Sequence, residues 1–211
     1  SSNIISDIAF TTTSSGTTGG SFPFAGINIS TSVSAITMNS NTIRNISFPG
    51  TGTGAYAGID LNSSGTGTHT VNSNTVNNLS RTASGTLYGI RMSSPTTVTL
   101  NSNTITALAL NNTTSTSSVY GIYGLSSSVN VTASGNTITN LTTTSTASAT
   151  ITAIREFGVS GNKVFQNNII NNLSAGGGTA TIVGIHASAS SSPNAMDISG
   201  NVINSISGAG T

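Results

Sequence analysis

The sequence predicts an all-β fold: a right-handed parallel β-helix, or β-solenoid, of about six coils, three strands per coil and about 32 residues per coil. Three observations predict it. The composition is almost free of charge and dominated by small polar residues, an Asn-centred motif repeats along the whole chain, and apolar residues keep fixed places within each repeat.

Of the 211 residues, 37 are Ser, 36 Thr and 25 Asn, and only 4% are charged. An ordinary soluble domain carries about 25% charge, so the surface of this one must be built from hydroxyls and amides. Five basic and four acidic side chains leave a net charge of +1, too little to form the basic stripe that neutralises nucleic-acid phosphates. No apolar run approaches the roughly 18 residues of a membrane-spanning helix. Ser, Thr, Asn and the 24 Gly are poor interior helix residues, which excludes a helical bundle. Disorder goes with low hydrophobicity and high net charge, whereas 35% of this chain is hydrophobic and its mean hydropathy is +0.12. A core is therefore available if the apolar residues fall in register.

They do. Asn3, Asn41, Asn74, Asn103, Asn136, Asn168 and Asn201 follow one another at steps of 38, 33, 29, 33, 32 and 33 residues. Two residues after each comes Ile5, Ile43, Val76, Ile105, Ile138, Ile170 or Ile203, and five residues after each comes Ile8, Ile46, Leu79, Leu108, Leu141, Leu173 or Ile206. A second element is Gly-Ile at Gly26, Gly58, Gly89, Gly121 and Gly184, with Ala153 in the fifth place; its Ile never varies. A third apolar column precedes each Asn by three residues: Met38, Val71, Leu100, Ala133, Phe165 and Ile198. The column two residues earlier, Ile36, His69, Val98, Val131, Lys163 and Met196, has two polar breaks.

Apolar alternation within each element is the period of a strand with one buried face. Three such strands bury nothing alone, but stacked coil on coil at about 4.8 Å they bury one continuous core. Parallel crossovers are overwhelmingly right-handed, which sets the hand. The chain reads as a single domain over residues 1–211. Asn suits a turn that needs left-handed backbone, and stacked Asn side chains can bond one another as a structural ladder. The Gly before each Ile is expected at a bulge or close backbone approach.

The stacked Asn motif resembles the Asn-ladder repeats of the pectate-lyase-like β-helix superfamily. Stretches such as SNTITALALNNTTSTSSVYGIYGLSSS and SGNTITNLTTTSTASATITAI resemble the long β-helical regions of secreted Bacteroidetes surface proteins. The resemblance implies a β-helix in an extracellular or cell-surface microbial setting. It also brings polysaccharide lyases and hydrolases into consideration.

Glycoside hydrolysis uses two carboxyl groups about 5 to 9.5 Å apart. The acids here are Asp7, Asp60, Glu156 and Asp197. Asp60 and Glu156 share a strand position but lie three coils apart, about 14 Å. No acid cluster is laid out for Ca²⁺, and without Cys and with only His69 and His186 no zinc site is laid out either. The expectation is a chain with no catalytic residues, no metal and no cofactor.

The row after the invariant Ile, Asn28, Asp60, Arg91, Tyr123, Arg155 and His186, is expected to face outward one coil apart. It reads either as a binding stripe for a glycan, with Tyr123 as the stacking platform and Arg91 and Arg155 as donors, or as a solvated face on which Asp60 pairs with Arg91. Tyr88 and Tyr120, just before Gly-Ile, are expected in the core on strand parity. Thr37, Thr70, Thr99 and Thr132 form one outward Thr column, and Thr42, Thr75, Thr104 and Thr137 another, which makes ice binding a minor alternative. Sequons recur at Asn45, Asn78, Asn140 and Asn172 and read as coincidence of composition.

Both ends of the chain fall at the same phase of the repeat without an evident cap. Ile4, Ile5 and Ile8 at one end and Val202, Ile203 and Ile206 at the other are candidate stacking residues. Either the coils continue into a longer chain, or copies stack head to tail into a filament. The expected function is structural or adhesive and extracellular, with self or adjoining coils as the partner; a carbohydrate-binding or carbohydrate-processing segment is the alternative. Neither nucleic-acid binding nor membrane insertion is expected.

Overall fold

The computed structural model describes residues 2–9, 24–49, 54–93, 96–112, 115–125, 130–158, 161–176, 179–189 and 195–208. These residues form a parallel β-solenoid built from three sheets. The chain visits the sheets in turn, first, second, third, and then returns to the first one layer along.

The first sheet stacks β1 (Ile4–Ala9), β4 (Thr42–Phe48), β7 (Thr75–Arg81), β10 (Thr104–Leu110), β13 (Thr137–Thr143), β16 (Ile169–Ala175) and β19 (Val202–Gly208). The second stacks β2 (Phe24–Thr31), β5 (Ala55–Ser63), β8 (Gly85–Ser93), β11 (Ser117–Leu125), β14 (Ser148–Gly158) and β17 (Thr179–Ala189). The third and shortest stacks β3 (Thr37–Asn39), β6 (Thr68–Asn72), β9 (Thr97–Asn101), β12 (Asn130–Ser134), β15 (Asn162–Gln166) and β18 (Ala195–Ser199). Every pairing is parallel, and the register sets each repeat residue on its counterpart, as in Ile105 on Val76 and Ile138.

The interior is filled by the predicted columns. Ile43, Val76, Ile105, Ile138 and Ile170 are sealed from solvent, as are Leu79, Leu108, Leu141 and Leu173 and the column from Val71 to Phe165. The two columns of the first sheet lie three residues apart, an odd spacing that strict alternation forbids. A left-handed residue between them resolves the conflict. Asp7, Asn45, Asn78, Ala107, Asn140, Asn172 and Ser205 all have φ between 53° and 60°, and the pairing skips each of them. One residue per coil is thus bulged outward, and both apolar neighbours face in.

A second left-handed residue makes the turn from the third sheet to the first: Ser40, Ser73, Ser102, Gly135, Asn167 and Gly200. The turn conformation expected of the ladder Asn therefore belongs to the residue before it. The ladder Asn themselves face inward, and Asn41, Asn74, Asn103, Asn136 and Asn168 are buried. Asn103 shows the pattern. Its Oδ1 accepts from the backbone N–H of Asn74 at 2.9 Å and from Asn74 Nδ2 at 3.1 Å, while its Nδ2 donates to the Val71 carbonyl at 2.7 Å and to Asn136 Oδ1 at 3.0 Å. The side-chain link runs without a break from Asn3 to Asn201.

An interior amide that loses these partners strands groups on both neighbouring coils, each costing about 1–3 kcal/mol. Asn103→Ala should therefore lower unfolding free energy by roughly 3–5 kcal/mol in urea titrations, and Asn3→Ala at the exposed first coil by less than about 1 kcal/mol. Equal effects at the two positions would contradict a ladder that stabilises the fold from inside.

Candidate functional site

The side chains with most chemical potential meet on the outer face of the second sheet. Their placement depends on the Gly of Gly-Ile. Leu87, Val119 and Ile151 point inward, so Tyr88, Tyr120 and Thr152 point outward. The next residue points inward again, and only Gly or Ala fits there. A Cβ on Gly121 would lie 2.5 Å from the Ala153 carbonyl oxygen and 2.7 Å from Ile138 Cγ2. The invariant Ile that follows also faces in, because the strand pairing skips the Gly. Two successive inward residues shift the alternation, which corrects the expectation for Tyr88 and Tyr120. Both lie on the outer face and touch Tyr123, with Tyr88 half-buried and Tyr120 buried as expected though on the outer side.

The expected stripe stands in register on this face, but it is not uniformly exposed. Asn28 and His186 are exposed, Arg91, Tyr123 and Arg155 are half-buried, and Asp60 is buried. Asp60 Oδ1 lies 3.5 Å from Arg91 Nη1 on the next coil. Burial raises the Asp60 pKa, and Arg91 opposes that shift. Around Tyr123 the rings form a cluster. Tyr88 and Tyr120 stack at 5.4 Å with planes 16° apart, and Tyr123 stands at 61° to both, 5.0 Å and 4.7 Å away. The Arg155 guanidinium lies 4.1 Å from the Phe157 centroid and 5.5 and 5.6 Å from those of Tyr120 and Tyr123. Its Nη1 donates to Tyr120 Oη at 2.8 Å, and His186 closes the row against Phe157. Burial pushes the Tyr88 phenol up to about 12, helped by Tyr123 and opposed by Arg91, and Tyr123 is raised mainly by burial too. With Arg155 lying over three rings, Tyr123 is a member of a packed aromatic cluster.

A second polar group sits inside the solenoid. Glu156 follows Arg155 but points inward, in the column of Leu61, Met92 and Gly124. Its carboxylate occupies the space that a side chain on Gly124 would take. Across the interior Lys163 Nζ meets Glu156 Oε1 at 3.3 Å, both side chains almost fully buried. Burial raises the Glu156 pKa, and Lys163 opposes the shift. The Lys163 break in an apolar column is thus answered by a Glu on another sheet. The other break, His69, is also buried, with neither ring nitrogen hydrogen-bonded. Arg81 is buried as well; it donates to the Gly54 carbonyl and stacks 4.4 Å above Tyr56. No periodic signal in the sequence marks Arg81 as interior, apart from its place in the column of Phe48 and Leu110.

The four acids do not converge. Asp60 faces outward and Glu156 inward, on strands three layers apart. Asp7 is engaged by Asn45, and Asp197 by Gln166. Among the described residues no group of three or more His, Cys, Asp or Glu is placed to hold a metal ion. Comparison with protein-family models, with curated proteins and with solved structures finds no match for this chain.

The buried pair makes a sharp prediction. Glu156→Met with Lys163→Val, which takes both charges out of the interior, should be neutral or up to about 4 kcal/mol more stable. The pH dependence follows from the raised carboxyl. The folded chain holds the Glu156 proton more tightly than the unfolded chain, so this contribution is full below the ordinary Glu value and is lost as pH rises through the folded value. Melting temperature should fall as pH rises from the ordinary carboxylate range through the raised folded value of Glu156, with Asp60 acting in the same sense, and should fall less in Glu156→Gln. Identical pH profiles for the two proteins would contradict this account.

Proposed function

We propose that the chain is a non-enzymatic structural segment of an extracellular or surface-displayed microbial rod. One observation carries this reading: the buried Asn amides link each coil to the next without a break. Such a chain resists bending and unfolding, and it presents a skin of hydroxyls and amides to its surroundings. The near absence of charge and the likeness to β-helical surface-protein repeats support the extracellular setting.

The exposed face of the last described coil supports further coils as the partner. Ile198, Ile203 and Ile206 are 51%, 43% and 45% exposed, while Phe165, Ile170 and Leu173 one coil earlier are sealed. This face has the same register as the six coil-to-coil joints of the first sheet, so a further coil fits it. Among the described residues the first sheet has seven strands and the other two have six, and a coil beginning on the second sheet beside β17 would continue all three.

Negative-stain microscopy across a dilution series, together with a variant carrying a second copy of residues 176–208 behind residue 208, tests the reading. The chain itself should give short rods of about 30 Å. The extended variant should melt at higher temperature and protect the amides of β18 and β19 from exchange. Uniform long fibres of the unextended chain would establish head-to-tail copies instead. Release of oligosaccharides from any of a panel of neutral and acidic polysaccharides would overturn the non-enzymatic reading.

A further inference from the structure

Three of the chain's four Tyr meet at one spot on the outer face. The coil-to-coil repeat does not require them, since the same outward column holds Ala57 in β5, Thr152 in β14 and Val183 in β17. We propose that the Tyr88–Tyr120 pair is a site of oxidative cross-linking, where a dityrosine bond joins two neighbouring coils.

The geometry favours this pair. Tyr88 and Tyr120 are register partners on β8 and β11, so the backbone holds their Cα atoms one coil apart. Their rings are nearly parallel with centroids 5.4 Å apart, so the two phenols stay side by side on the paired strands. Tyr123 touches both rings, and its half-buried phenol gives an oxidant a way in from solvent. Arg155 donates to Tyr120 Oη and lies over the ring, which fixes its orientation.

The chemistry balances with hydrogen peroxide as oxidant and a haem peroxidase as catalyst. Each phenol gives up one hydrogen atom, and the two resulting radicals pair through ring carbons ortho to the oxygens. The hydrogens displaced from those carbons move to the oxygens and restore both phenols. The pair of hydrogen atoms removed reduces one peroxide to two waters. The product ties the coil of β8 to that of β11, a covalent clasp on a fold otherwise held by hydrogen bonds and packing. The site does not depend on how the rod lengthens.

The folded chain, kept dilute, is treated with peroxide and peroxidase and then digested with trypsin. Cleavage after Arg81, Arg91 and Arg155 places Tyr88 on peptide 82–91 and both Tyr120 and Tyr123 on peptide 92–155. The expected result is a monomer lighter by two hydrogen atoms, blue dityrosine fluorescence, those two peptides joined through Tyr120, and a higher melting temperature. Tyr88→Phe and, separately, Tyr120→Phe should abolish the joined species, while Tyr56→Phe should leave it. Cross-links confined to dimers, a joined pair formed equally fast in urea, or coupling of Tyr88 to Tyr123 alone would overturn the assignment.

Discussion

A buried Asn side chain has four hydrogen-bonding positions to satisfy, and in this fold only copies of itself and the backbone of neighbouring coils can satisfy them. That requirement governs the structure. Asn103 Oδ1 must meet the coil of Asn74, and Asn103 Nδ2 must meet the coil of Asn136, so spacing and phase are fixed together. A coil displaced by one residue would strand amides on both sides in a dry interior, and every apolar column would turn to solvent. Loop lengths are free to vary, as the steps of 29 to 38 residues between ladder positions show. The phase at the Asn is not.

Much of this was legible in the sequence, because a stacked fold writes its core as columns. The period, the seven ladder positions and the inward Ile and Leu columns all stand where the spacing put them. What was not legible arises where the alternation is interrupted. The bulge at Asn45 and its counterparts lets residues three apart share the inner face, and the skipped Gly89 and Gly121 move Tyr88 and Tyr120 to the outside. Parity counting assumes that no residue is skipped, so it misplaces whatever lies beyond a skip. The recurring sequons have a related origin. An outward left-handed Asn, an inward Leu or Ile and an outward Ser or Thr spell N-x-S/T at Asn45, Asn78, Asn140 and Asn172. Their common position follows from backbone geometry as well as from composition.

The charged groups illustrate a second limit. Lys163 looks like a defect in an apolar column until its partner is seen on a different sheet, in the column that Gly124 opens. No spacing rule connects the two, because the contact crosses the interior and not the stack. Arg155 and Glu156 are adjacent in sequence yet serve opposite sides of one strand, the first over aromatic rings outside, the second against Lys163 inside.

The three sheets are not equivalent, and that inequality constrains how coils stack. Interior strands of the second sheet run to 9 or 11 residues, those of the first to 7 and those of the third to 5. A cross-section with three unlike sides has no rotation that superposes it on itself, so an added coil must match sheet for sheet as well as ladder for ladder. Turning a coil by one side would set the 7-residue strands of the first sheet against the 9- and 11-residue strands of the second and break the column of Asn. The inward amide and the unequal sides therefore act together. The first fixes the height of each coil and the second fixes its rotation.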